Sequence, residues 1–118
     1  MILLALSAAT IVLIAFVHSW LGERRLIGPI LVLDSPVTQS SLGRGVIRFA
    51  GHLTSLLMLV TALMIVWPTT PSPLVRITGA AYLGAGLVDA VMTRGRHIGW
   101  PMLAGAGLLA LLGDWTRG

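Results

Sequence analysis

Residues 2–20 are ILLALSAATIVLIAFVHSW, an almost unbroken apolar run that ends on a tryptophan. Three further stretches, 46–67, 74–93 and 98–115, have the same character. Each is close to the length of about 20 residues that an α-helix needs to cross ~30 Å of hydrocarbon. Tryptophan prefers the headgroup level of a bilayer, where the ring is half buried and the N–H stays hydrated. The pattern predicts four transmembrane helices, bounded by Trp20, Trp67, Trp100 and Trp115.

The composition excludes an ordinary water-soluble domain. Of the 118 residues, 56% are hydrophobic and only 10% are charged, and the mean hydropathy is +0.93. Soluble domains carry about 25% charged residues. Four crossings would use about two thirds of the chain, so we expect a single transmembrane domain over residues 1–118.

The first apolar stretch is expected to be a membrane span and not a cleaved signal peptide. A signal peptide starts with a basic region and ends at a small-residue cleavage site. Here residues 1–4 are apolar, and the run continues through His18 and Trp20. The chain has no cysteine, which excludes disulfides, thiolate metal sites and covalent haem attachment through C-x-x-C-H.

The arginines predict the orientation, because basic residues in short loops stay in the cytoplasm. Arg76 and Arg117 lie on one side of the predicted membrane. The other six lie in or beside the first and third connections: Arg24, Arg25, Arg44, Arg48, Arg94 and Arg96. We expect a multi-pass protein of a bacterial inner membrane with both termini in the periplasm. Arginines divided among loops in this way are topology determinants and headgroup contacts, so no nucleic-acid partner is expected despite the net charge of +4.

The connections predict an all-α four-helix bundle made of two antiparallel hairpins. Residues 68–73 (PTTPSP) form a proline-rich turn between the second and third helices. Residues 93–99 form an equally short turn before the fourth helix. The first connection, 21–45, is long, and its apolar run 26–33 is too short to span. We expect this loop to lie in the cytoplasmic interface, as a linker or as a lid.

Small residues spaced four apart occur in every predicted helix and allow the close approach that holds helices together in lipid. Glycines are concentrated in the last two helices. This distribution predicts that the last two helices are the most tightly packed pair.

Three ionisable residues inside the predicted spans are the candidates for a site, namely His18, His52 and Asp89. An ionisable group inside a membrane is costly and is by default a functional hypothesis. At ~1.5 Å of rise per residue, the three lie at nearly one depth on the cytoplasmic side. We expect them to point inward and to lie within about 10 Å of one another, with Glu23 and His97 just above.

Four interpretations of these residues remain open. His18 and His52 would hold a haem b iron axially, with propionates paired to Arg24, Arg25 or Arg48. His18, His52 and Asp89 would bind a divalent metal. An imidazole beside a carboxylate would carry protons or accompany a small solute. In the structural interpretation, the histidines bond headgroups or backbone carbonyls, and Asp89 pairs with Arg94 or Arg96.

The templates of common enzyme sites are absent from the sequence. There is no Gly-rich phosphate loop, H-E-x-x-H or G-x-S-x-G motif, which favours a non-enzymatic protein. Small multidrug transporters have four helices in about this length, but they carry a glutamate within helix one, and this helix one has no acid.

Residues 18–27 (HSWLGERRLI), followed by 51–55 (GHLTS), resemble a pattern in small uncharacterised four-helix membrane proteins of bacteria. The resemblance implies a bacterial inner-membrane location, implies no activity, and points again to His18 and His52. We expect a binding or accessory subunit in the lipid bilayer, within a larger membrane complex or a homo-oligomer. The alternatives are a haem or metal protein and a transporter of protons or small solutes.

Overall fold

The computed structural model describes residues 1–117, and this range is helical with no strand. The all-α fold class predicted from the sequence is therefore confirmed. The helices, in chain order, are α1 Ile2–Gly22, the π-helix π1 Glu23–Ile27, α2 Gly28–Leu31, α3 Pro36–Gln39, α4 Ser41–Val66, α5 Ser72–Met92 and α6 Gly99–Arg117.

Three helical runs are long and apolar enough to cross a membrane. They are Ile2–Leu31, Ser41–Val66 and Ser72–Met92. The fourth predicted span corresponds to α6, whose mean hydropathy is reduced by Pro101, Asp114 and several glycines. The fourth crossing stays a prediction.

The first connection is shorter than the sequence predicted. The helix continues past Gly22 through π1 and α2, so only residues 32–35 and Ser40 lie outside helices before α4 begins. The physical reason lies at Pro29, which cannot donate a backbone hydrogen bond and crowds the carbonyl four residues earlier. The π-turn gives the chain a wider path past the proline, and Gly28 N–H bonds the carbonyl of Glu23 five residues before it.

The apolar run 26–33 packs back against α4. Ile27 and Leu31 are buried, and a Cβ placed on Gly51 would lie 2.5 Å from Ile27 Cδ1. Arg44 Nη1 on α4 donates to the Leu31 carbonyl at 2.9 Å. The extension beyond α1 is thus part of the α1–α4 pair.

The long helices follow the spatial order α4, α1, α6, α5, with α1 and α6 in the middle. Ser7 Oγ donates to the buried Ala106 carbonyl at 2.8 Å, and Leu4 packs on Gly113, so α1 and α6 run antiparallel. Joined by a short turn, α4 and α5 nevertheless make few contacts with each other. The molecule is accordingly flat, 54 × 32 × 19 Å. The core contains Leu4, Ala8, Ile11, Ile14, Ala62, Ile65, Val75, Ala106 and Ala110.

Helices α5 and α6 pack closely through glycines. A Cβ on Gly107 would lie 2.3 Å from the Leu83 backbone nitrogen, and a Cβ on Gly86 would lie 2.5 Å from that of Ala104. The chain reverses at Arg94 (φ 53°) and Gly95 (φ 72°). Residues equidistant from Gly95 along the chain therefore face each other.

These antiparallel directions give the molecule two ends. We call the end with the α1–α4 connection and the α5–α6 turn the arginine-rich end. The end with Met1, the α4–α5 connection and Arg117 is the terminal end.

Candidate polar site between α1 and α4

A cluster of polar side chains joins α1 and π1 to α4 near the arginine-rich end. We call it the His52 cluster. Its members are Ser19, Glu23, Arg48, His52 and Ser55.

Both ring nitrogens of His52 have partners within the cluster. Nδ1 lies 2.9 Å from Ser19 Oγ, and Nε2 lies 3.0 Å from Glu23 Oε2. Arg48 binds the same carboxylate, because its Nε and Nη2 donate to Oε1 at 3.0 and 2.6 Å. Ser19 Oγ donates to Ser55 Oγ at 2.7 Å. The cluster thus forms a continuous chain from a buried serine to a half-exposed arginine.

Helix periodicity explains why these residues meet. Ser19 and Glu23 are four apart and share one face of the first helical run. On α4, Arg48, His52 and Ser55 repeat at intervals of four and three, which places them on the facing side. Gly51 leaves room for the Ile27 side chain between the two helices.

The hydrogen-bond pattern admits two arrangements of protons. The Glu23 carboxylate only accepts, so Nε2 of His52 donates to it. In one arrangement Ser19 gives its proton to Ser55 and accepts from Nδ1 of His52. In the other, Ser55 donates to Ser19, and Ser19 donates to Nδ1.

The order serine, histidine, carboxylate is also that of a hydrolase triad, but the surroundings of Ser19 do not supply the rest of such a site. A triad acts with backbone N–H groups aimed at the developing oxyanion. Ser19 lies inside the last turn of α1, where the neighbouring N–H groups are used by the helix. The arrangement therefore favours holding the helices together or passing a proton along the chain.

The structure does not bring the three predicted site residues together. His18 is exposed, and Asp89 instead contacts His97, whose Nδ1 lies 2.5 Å from Oδ2. Among residues 1–117 no group of three or more His, Cys, Asp or Glu side chains is placed to hold a metal ion. The prediction that His18, His52 and Asp89 lie close together used only their depth along the helix axes. Residues at equal depth can still point in different directions around their helices.

The arginines assigned to haem propionates have other surroundings. Arg48 is engaged by Glu23. The Arg24 guanidinium lies over the Trp20 ring, 5.0 Å from its centroid, and Arg25 is exposed. Haem binding by His18 and His52 stays a prediction.

A second cluster, at the terminal end, was missed by the sequence reasoning. The buried Asp114 carboxylate accepts from Arg76 Nε at 2.7 Å and from Arg117 Nη2 at 3.1 Å. Arg117 also donates to the Thr70 carbonyl in the α4–α5 connection. Arg76 and Asp114 are the same number of residues from Gly95. The short turn at residues 93–99 therefore predicts, from the sequence alone, that these two side chains face each other.

Comparison with known proteins identifies no match among protein-family models, curated proteins or solved structures. The functional conclusions therefore come from the residues and contacts of this chain.

Proposed function

We propose that this chain is a small, non-enzymatic integral membrane protein that acts as a binding or accessory subunit, with the His52 cluster as its structural centre. The supporting observation is that its polar side chains satisfy one another. Within residues 1–117, no buried side-chain nitrogen or oxygen lacks a hydrogen-bond partner. A reactive site usually has a polar group directed at its substrate, whereas the polar side chains of the His52 cluster hydrogen-bond one another.

The proposal includes four membrane crossings in a bacterial inner membrane, with both termini in the periplasm. Helix α6 has 19 residues, or ~28 Å of rise, and it lies between α1 and α5, both of which are candidate spans. Its one acid, Asp114, is neutralised by two arginines near the helix end. The arginine bias of the connections supports the orientation.

The accessory role, in a larger complex or a homo-oligomer, is supported by the outer surface of α4. Of its 26 residues only Ser55, Ala62 and Ile65 are buried. Its exposed apolar side chains, among them Leu56, Leu57, Val60 and Leu63, face lipid or a neighbouring subunit, because no other helix of the chain covers them.

Proton movement is the second candidate, and the hydrogen-bond chain of the His52 cluster favours it. The chain runs from buried Ser55 through Ser19 and His52 to Glu23. The Ser55–Ser19 and Ser19–His52 links can each reverse donor and acceptor, as a proton relay requires, and Glu23 accepts from His52 at the end of the chain. In proteoliposomes with a trapped pH dye, this candidate predicts proton flux that is lost in His52→Gln; the accessory role predicts equal leak in both proteins.

The accessory role is tested against haem or metal binding with the purified protein, before and after incubation with haem and with divalent metals. We expect no Soret band and no stoichiometric metal, because a metal bound to either ring nitrogen of His52 would have to displace the hydrogen-bond partner of that nitrogen. Stoichiometric haem or metal that is lost in His52→Ala would overturn the proposal.

A further inference from the structure

Five arginines at the arginine-rich end have no ion-pair partner within residues 1–117, namely Arg24, Arg25, Arg44, Arg94 and Arg96. Arg44 donates to the Leu31 carbonyl, and the other four form two pairs, Arg24 with Arg25 and Arg94 with Arg96. At the terminal end both Arg76 and Arg117 are bound to Asp114. The arginines without an ion pair are therefore gathered at one end, on exposed side chains.

Each pair of arginines lies about one hydrocarbon thickness from the terminal end of its own helix. Arg24 is ~33 Å from the start of α1, and the α5–α6 turn is ~31 Å from the start of α5. Because the hydrocarbon core is ~30 Å thick, both pairs fall just outside it, where lipid phosphates lie.

Each pair is accompanied by a tryptophan. The Arg24 guanidinium lies over the Trp20 ring in a cation–π contact. This contact leaves the N–H groups at the edge of the guanidinium free to donate. Trp100 Nε1 donates to the Gly95 carbonyl at 3.3 Å and so closes the turn that carries the second pair. Arg94 holds a left-handed backbone conformation, which a residue with a side chain adopts at a cost.

We propose that these four arginines form a binding surface for anionic phospholipid headgroups, and we call it the arginine rim. A planar guanidinium donates two parallel hydrogen bonds to a phosphate, and a basic surface at headgroup depth attracts lipids with net negative charge. The shared depth and the adjacent indoles favour a lipid over a protein partner, since indole prefers the headgroup level.

The test uses the full chain in nanodiscs containing phosphatidylglycerol and phosphatidylcholine, extracted for native mass spectrometry that counts the lipids retained. We expect the wild-type protein to retain phosphatidylglycerol preferentially. The preference should fall by about fivefold for each arginine removed in Arg24→Gln/Arg25→Gln and in Arg94→Gln/Arg96→Gln. Added salt should weaken retention in the wild-type protein, because it screens exposed charges.

Arg44→Gln is the control, compared per arginine removed, since it removes one positive charge ~8 Å further from the hydrocarbon. Circular dichroism of each variant checks that it is folded, and the salt series on the wild-type protein needs no variant. Equal retention of the two lipids by the wild-type protein would overturn the proposal. An equal loss in the control would also overturn it, because general surface charge and not the rim would then select the lipid.

Discussion

At the scale of the residue, the molecule places nearly all of its interior charge in pairs. An unpaired charge in an apolar medium is costly, whereas a paired and hydrogen-bonded one is tolerated. His52 and Asp114 illustrate this at opposite ends of the molecule. His52 bonds Glu23 and Ser19, and the fully buried carboxylate of Asp114 lies between two guanidinium groups.

Replacing His52 with Ala is expected to lower the free energy of unfolding by about 1–2 kcal/mol, because two interhelical hydrogen bonds are lost. Chemical unfolding in detergent, followed by circular dichroism, measures the loss. His18→Ala is the control; its exposed ring should give a change within about 0.5 kcal/mol. Equal losses in both variants would contradict the structural role assigned to His52.

Replacing Asp114 with Asn should weaken the contacts that join α5, α6 and the α4–α5 connection. We expect a destabilisation of about 1–2 kcal/mol, since the amide has no negative charge and offers one acceptor oxygen where the carboxylate offers one each to Arg76 and Arg117. The same unfolding measurement applies. Asp34→Asn, on an exposed residue that bonds only Gln39 among the described residues, should be close to neutral.

Some of these contacts were predictable from the sequence and some were not. His52 stood out as a polar residue in an apolar run, but its partners depended on the rotation of α1 about its axis, which sequence depth does not give. Asp89 was expected near Arg94 or Arg96, yet the left-handed turn brings His97 back over the end of α5.

At the scale of the element, the lengths of the apolar stretches predicted the four long helices. They predicted less well the residues at which these helices begin and end. The predicted loop over 21–45 was based on the apolar run 26–33 being too short to span a membrane. A π-turn instead accommodates Pro29, a local solution that propensity alone does not anticipate. Ile27 and Leu31 then become buried contacts of the α1–α4 pair.

Two glycines on α6 provide a test of the α5–α6 contact. A Cβ on Gly107 would collide with the backbone of α5, whereas one on Gly105 meets nothing within 4 Å. Gly107→Ala should therefore destabilise the protein by about 1–3 kcal/mol. Gly105→Ala should stabilise it by about 0.5–1 kcal/mol, because alanine favours the helix. Similar effects of the two substitutions on unfolding in detergent would contradict the packing described for this pair.

At the scale of the whole molecule, the order α4, α1, α6, α5 could not be predicted from connection lengths. A short proline-rich turn suggests that α4 and α5 are close neighbours, yet packing of small residues on α1 and α6 places those two helices between them. In lipid, close backbone approach decides the arrangement. The chain then leaves α4 and α5 as the outer helices, with broad apolar surfaces.

The placement of the site, the arginine rim and both termini depends on four crossings with the arginine-rich end in the cytoplasm. The chain has no cysteine, so each variant contains one introduced cysteine. Labelling with an impermeant maleimide in intact spheroplasts and in inverted vesicles shows on which side of the membrane that cysteine lies. We expect Gln39→Cys and Ile98→Cys to label only in inverted vesicles, and Thr69→Cys and Thr116→Cys to label only in spheroplasts. Labelling of Thr116→Cys on the same side as Ile98→Cys would show that α6 does not cross and would contradict the account.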